Sequence, residues 1–264
     1  MGENYAHGDL TAVVAAFERP RCLRLLLRSL KQHTPDIPLI VVDQTAREYV
    51  TGIVEEEGMQ ATVLRPGFDK GIGFCRNLYL EAVDTPMFLN LDEDFILPDA
   101  EIVPKLLAPV RKGMCDICAG TLGDREAWCD NFFFENGKLI QRPVRQVAAL
   151  TSCDITHAFF VANTEKVRDA GGWDAKQKGW DHIPFFITAK IAGLRVAYRK
   201  GCTVIHNRIP YKDGKSTMAR RFRLCERWLA DHGLKAWERE GVEQKNRIKS
   251  RKAKPRKKGK KGRK

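Results

Sequence analysis

Over its first ninety residues the chain alternates short apolar runs with amphipathic stretches, and that alternation leaves few folds open. "LTAVVAAF" (10–17) is a continuous apolar run of the length of a strand buried on both faces. Pro20 suits a first helical turn, after which Leu23, Leu26, Leu27 and Leu30 mark one helical face. Arg21, Arg24, Arg28 and Lys31 take the other side. "PLIVVD" (38–43) reads as a second strand, "REYVTGIVEEEG" (47–58) as a helix ending near Gly58, and "ATVL" (61–64) as a third strand. Gly71 and Gly73 open a third helix through Ala82, and "MFLNL" (87–91) is a fourth strand. Strands joined through helices imply a mostly parallel sheet with right-handed crossovers. The expected class is α/β, a Rossmann-like α/β/α sandwich.

The second half is mixed, which adds a small antiparallel portion. "CDICAGTL" (115–122) reads as a strand, and "NFFFENGKLIQRP" (131–143) as a hairpin turning at Asn136-Gly137. "HAFFVAN" (157–163) is a strand, and "TEKVRDAGG" (164–172) a helix that starts on Thr164 and stops at glycine. Asp181 caps an expected helix through Ala192, "LRVAYR" and "TVIHN" are two late strands, and a last amphipathic helix is expected from Met218 to Trp237. No linker-like stretch divides residues 1–217, so one domain over residues 1–240 is expected, with a polybasic tail over 241–264.

Charge sets that tail apart. The formal net charge is +13, and Lys245 to Lys264 hold thirteen Lys/Arg and no acid, so residues 1–244 are formally neutral. A segment of that composition has little apolar surface to bury and is expected to be disordered. It suits a polyanionic partner, nucleic acid ahead of an anionic membrane surface, with a solubilising or localisation tail as the plain alternative. No apolar run approaches a membrane span, and "MGENYAHGDL" lacks a signal-peptide core, so a cytoplasmic protein is expected. The eight cysteines are then expected as free thiols. Cys115 and Cys118 form a single CxxC, a weak zinc signal, and the buried strand is the preferred reading.

The candidate chemistry lies where strands end. In an open α/β sheet, ligands settle at the carboxyl ends of the strands near the reversal of strand order. There the first strand delivers Phe17-Glu18-Arg19, the second Asp43-Gln44-Thr45, and the fourth Asp92-Glu93-Asp94. In an extended segment Asp92 and Asp94 project to one side and Glu93 to the other. Two carboxylates on one side suit a hard cation, Mn²⁺ or Mg²⁺, completed by water and phosphate. Arg19 and Arg76 suit phosphate oxygens, and Arg76 follows Gly71 and Gly73 near a helix start, where phosphate is favoured. A plain helix-entry turn with Arg76 facing solvent is the alternative.

Four segments, taken in order, resemble glycosyltransferases of the GT-A fold. "FLNLDEDFIL" is similar to their Asp-x-Asp segment, and "TAVVAAFERPRCLRLLLRSL" and "IVVDQT" to the opening units of the family 2-like enzymes. "GIGFCRNLYLEA" resembles the glycine-rich helix start with Arg-Asn. "GGWDAKQKGWDHIPFF" resembles their acceptor-side segment, in the branch that includes N-acetylgalactosaminyltransferases. The resemblance covers residues 10–206. It implies metal-dependent transfer from a nucleotide sugar, with UDP favoured, to an acceptor hydroxyl, with inversion.

By that resemblance Asp92, Asp94 and His206 hold the metal, and Phe17, Glu18, Arg19, Asp43, Asp69, Arg76, Asp92 and Glu93 form the donor site, with Asp43 or Asp69 on a uracil edge. Asp181 becomes the general base, although the family more often has Glu in this segment. A helix cap is its simpler role. Asp174 is a rival that a turn explains. Trp173, Trp180, Phe185 and Phe186 are a sugar-stacking wall or, more simply, core. "RRFRLCERW" (220–228) extends the basic surface or is a solvated helix face. With the tail included, the expected acceptor is polyanionic, a hydroxylated base in DNA before a glycolipid or surface polysaccharide. A non-catalytic nucleic-acid binder on the same fold and a nucleotidyltransferase are the other readings.

Overall fold

The computed structural model describes residues 7–123, 125, 127–144, 148–179, 181–207 and 227–240. Strands β1 (Leu10–Ala16), β2 (Leu39–Asp43), β3 (Thr62–Leu64) and β4 (Met87–Asp92) alternate with helices α1 (Pro20–His33), α2 (Val50–Glu56) and α3 (Ile72–Ala82). β1 is buried along its whole length, as its unbroken apolar run requires. Then follow β5 (Phe95–Ile96), α4 (Ile102–Arg111), β6 (Ile117–Leu122), β7 (Asp130–Glu135), β8 (Lys138–Pro143) and β9 (Leu150–Cys153). The last described elements are β10 (Phe160–Asn163), α5 (Thr164–Asp169), α6 (His182–Ile191), β11 (Val196–His206) and β12 (Ala236–Arg239).

The main sheet runs β3-β2-β1-β4-β10-β6-β11-β5, with β9 pairing on β11. β3, β2, β1 and β4 are mutually parallel, β10 lies antiparallel between β4 and β6, and β11 is parallel to β6. The order turns back between β1 and β4, and the carboxyl ends of that pair form the crevice such sheets offer to ligands. Apolar clusters fill both faces of the sheet, the leucines of α1 and α4 on one side and Tyr79, Trp173, Phe185 and Phe186 on the other. Trp173 stacks on Phe185 with ring centroids 4.3 Å apart, and both are buried: the aromatic segment is core. Trp180 lies outside the described residues.

Three elements depart from expectation. "LRVAYR" and "TVIHN" are one continuous strand, β11, with a register shift between Tyr198 and Thr203. The helix expected from Met218 to Trp237 mostly lies outside the described residues, and its end is otherwise, because Trp237 belongs to β12, which pairs parallel with β8. α4 carries Pro109 inside it, which hides the helix from a reading by propensity. The hairpin of β7 and β8 turns where expected, with Asn136 at φ 52° and Gly137 at φ 72°, the pair of positive φ values that a tight two-residue turn needs. The described cysteines are free and buried, Cys115 and Cys118 among them.

Candidate active site

β4 ends at Asp92, so the strict alternation of side chains stops there. Glu93 and Asp94 lie in the turn to β5 and both reach Arg19, which follows β1. Arg19 Nε donates to Glu93 Oε1 at 2.8 Å and Nη1 to Asp94 Oδ2 at 2.5 Å. The Phe17 amide donates to the other oxygen of Glu93 at 2.9 Å. Glu93 is 2% exposed, and burial pushes its carboxyl up to about 8 against the opposing pull of Arg19. Glu93 is thus the tie between the ends of β1 and β4.

Asp94 faces a second strand end. β11 pairs with β5 at His206 and Phe95, which brings His206 Nε2 to 3.4 Å from Asp94 Oδ2. Burial raises the Asp94 carboxyl, but His206 and Arg19 outweigh it and hold the group below its ordinary value. Asp92 differs. Its side chain keeps 34% exposure, open to a ligand, while the surrounding protein pushes its carboxyl up against the pull of Arg76.

Arg76 comes from α3 and is 3% exposed. Its Nη2 donates to Asp92 Oδ1 at 2.7 Å, and its Nη1 lies 2.8 Å from Asp181 Oδ2, at the start of α6. The second contact is an ion pair without hydrogen-bond alignment, so Asp181 Oδ2 is buried with no aligned donor. Asp181 makes no side-chain capping bond to α6. Its carboxylate is spent on Arg76 and not on the helix. Asp174 does fill a turn, accepting from the Lys176 amide at 2.9 Å and from Gln177 Nε2 at 3.2 Å.

The glycine-rich start of α3 is used for packing. The Gly71 amide donates to Gln44 Oε1 at 3.0 Å and the Gly73 amide to the Gln177 carbonyl at 2.9 Å. A Cβ on Gly73 would stand 2.1 Å from the Asp174 carbonyl oxygen. Two amides that a phosphate would have used are therefore engaged within the protein.

The remaining expected donor residues surround the ends of β1 and β2. Glu18, at φ 56°, accepts from the Ala46 amide at 2.6 Å. Asp43 is buried, takes the Thr45 amide and hydroxyl on Oδ1, and has no hydrogen bond on Oδ2, with Arg65 Nε 3.6 Å away. Asp69, at φ 48°, is held by Lys178, whose Nζ donates to its carbonyl at 2.5 Å. Phe17 stacks on Phe68, centroids 5.8 Å apart, and Phe68 is 58% exposed, an aromatic surface beside Asp43's strand end.

Two groups beside Asp181 escape the sequence reading. His182 stacks on Trp128 with centroids 5.8 Å apart, and burial lowers its imidazole to about 4. Trp128 Nε1 donates to Asp130 Oδ2 at 3.0 Å, and Arg239 of β12 grips both oxygens of the same carboxylate. The only sequence signal was "WDHIPFF", in which the histidine follows the candidate base.

Asp92, Asp94 and His206 supply the carboxylate and imidazole donors that Mn²⁺ or Mg²⁺ accepts. The 3.4 Å between His206 Nε2 and Asp94 Oδ2 is close to the ~3 Å that separates neighbouring ligands on one octahedral ion. Among the described residues no three such side chains gather into a preformed cage. The donor set fits a cation whose coordination a ligand's oxygens complete.

Fold and rim together define an open α/β protein with an acid-lined crevice at its switch point. The profile of "Glycosyl transferase family 2" matches residues 11–171, and the chain belongs to that family. It is 29% identical over 218 residues to mouse (Mus musculus) beta-1,4 N-acetylgalactosaminyltransferase 2, covering 78% of this chain and 41% of the relative. The chain spans less than half the length of the curated relatives it matches, 41% and 45% of the first two. Among solved structures, S. aureus TarS in complex with UDP superposes with a TM-score of 0.56 at 16% identity, over 74% of this chain and 59% of that one. The Pyrobaculum calidifontis mannosyltransferase PcManGT in complex with GDP-Man and Mn²⁺ gives 0.59 at 12% identity, over 83% and 64%. These likenesses establish the GT-A fold expected from the sequence.

Proposed function

We propose that the protein transfers a sugar from a nucleotide-sugar donor, UDP-linked before other nucleotides, to an acceptor hydroxyl, with a divalent cation and with inversion. One observation carries the reading: Arg76 pairs with both Asp92, at the end of β4, and Asp181, at the start of α6, while Asp94, two residues beyond Asp92, meets His206. Donor-side and acceptor-side acids are thus a single guanidinium apart. The family membership, the N-acetylgalactosaminyltransferase relatives and the UDP and Mn²⁺ present in the two superposed structures support it.

Asp92, Asp94 and His206 hold the cation, Mn²⁺ before Mg²⁺. When bound it neutralises the charge of the leaving diphosphate. Phe17, Glu18, Asp43 and Asp69 form the nucleoside side, with Asp43 or Asp69 on a base edge, and Phe68 extends the apolar surface. Arg19 and Arg76 act in donor binding through the carboxylates they hold, and Glu93 by fixing Arg19. Asp181, whose side chain keeps 13% exposure, takes the acceptor's proton on Oδ1, the oxygen not buried against Arg76. The acceptor oxygen then bonds to the anomeric carbon as the bond from that carbon to the diphosphate breaks, and the nucleoside diphosphate leaves.

For the acceptor the reading extends to a hydroxyl-bearing polyanion, on the strength of the thirteen basic residues from Lys245 to Lys264. A hydroxylated base in DNA stands first, ahead of an anionic glycolipid or polysaccharide. The test incubates the full chain with Mn²⁺, a panel of UDP-sugars and either hydroxymethylated DNA or glycolipid, and reads the products by mass spectrometry. A hexose or N-acetylhexosamine mass added to DNA is the expected result. Addition to glycolipid alone overturns the DNA acceptor, and a nucleotidyl mass added in a parallel incubation with nucleoside triphosphates, with no sugar added from any donor, overturns the transfer itself.

A further inference from the structure

We propose that Arg76 is a positioning residue for the transfer step, holding the Asp181 carboxylate on the acceptor side while anchored to the donor side through Asp92. The inference rests on Asp181 as the proton acceptor. Its basis is the placement of one buried guanidinium between two acids from different elements, one at the end of β4 and one at the start of α6. Arg76 also lies over the Trp173 ring, 5.6 Å from its centroid, and Trp173 stacks on Phe185 of α6. The same helix that carries the base is therefore packed against the plane that seats the arginine.

The two contacts of Arg76 differ in kind. To Asp92 it makes an aligned hydrogen bond that fixes the guanidinium. To Asp181 it offers charge at 2.8 Å on Oδ2, the buried oxygen, which leaves Oδ1 to the acceptor side. A base needs its charge held in place and its acceptor direction open, and this arrangement meets both needs. The α6 N-terminus gives no competing hold, since Asp181 does not cap it. Lysine, a single point charge without the fork, cannot reproduce the two-sided grip.

The test is a double-mutant cycle on the full chain, Arg76→Met, Asp181→Asn and the pair. It is read as Mn²⁺-dependent UDP release from UDP-N-acetylgalactosamine, with UDP affinity measured separately by calorimetry. Each single variant is expected to lower kcat by about 100-fold or more. The double variant should fall within about threefold of Asp181→Asn alone, because residues that act as a unit are not additive. UDP affinity in Arg76→Met should fall by less than about tenfold, so that the loss lies in kcat. If Asp181→Asn keeps full turnover, the base assignment fails and this inference with it. If Asp181→Asn is inactive while the two losses multiply, or while Arg76→Met loses only UDP affinity, the base stands and Arg76 is overturned. A crystal structure of Arg76→Lys provides a reading free of any donor and of folding losses in the methionine variant. The Asp181 carboxylate should move by more than about 0.5 Å, the tolerance of a positioned group, and an unmoved carboxylate contradicts the proposal.

Discussion

Arg19 and Arg76 divide the acids of the rim between them, and the division gives each acid a different chemistry. Arg19 takes Glu93 and Asp94, and Arg76 takes Asp92 and Asp181. Replacing Asp94 with Ala should lower Mn²⁺-dependent turnover by at least about 100-fold, since it removes a proposed ligand where even supporting residues cost 10–100-fold. UDP release assayed across Mn²⁺ concentrations checks this, and unchanged turnover would remove Asp94 from the metal set. His182 gives a pH prediction of definite sign. Its folded pKa, about 4, lies below the ordinary 6.5, so the folded state keeps it neutral while the unfolded chain takes up a proton. Its contribution to stability is present above pH 6.5 and is lost as pH falls towards 4. The ring is partly exposed, which makes the loss smaller than full desolvation would give. Urea denaturation from pH 7 to 4 should show a steeper decline for the wild type than for His182→Gln; parallel curves would contradict the assignment.

The elements show what sequence periodicity reaches and where it stops. The βα units through β4 were legible because each apolar run is buried whole and each helix shows one apolar face, as Leu23, Leu26, Leu27 and Leu30 do. The positions of Asp43 and Asp92 were legible for the same reason, since they sit where those strands end. The joining of "LRVAYR" to "TVIHN" was hidden by Lys200-Gly201, which reads as a break and is instead an irregularity within β11. The role of Glu93 was hidden because alternation fails in a turn, and the pairing of Arg76 with Asp181 joins residues 105 positions apart. Gly71 and Gly73 were legible as the start of α3 but not as a packing surface, and the segment from Asp174 to Lys178 packs there. Gly73→Ala should therefore destabilise by about 1–3 kcal/mol, the usual cost of overpacking, as its Cβ meets a backbone carbonyl. A chemical denaturation midpoint equal to that of wild type would show that the segment yields easily.

At the scale of the molecule, charge and chemistry occupy different parts of the chain. Residues 1–244 are formally neutral and contain the rim, while the whole excess of +13 follows them, outside the described residues. Among the described residues no helix is long and apolar enough to cross a membrane. Deleting Lys245–Lys264 is expected to weaken retention on long DNA at moderate salt and to flatten its dependence on salt concentration, while sparing UDP release. A truncated chain that keeps full use of every polyanionic acceptor would separate the tail from acceptor choice. The central claim concerns the crevice between β1 and β4, and the most direct measurement is calorimetric titration of UDP into the full chain with and without Mn²⁺. Binding that requires Mn²⁺ and disappears in Asp92→Asn and Asp94→Asn is the predicted result. A chain that binds no nucleoside diphosphate in the presence of Mn²⁺ would contradict it.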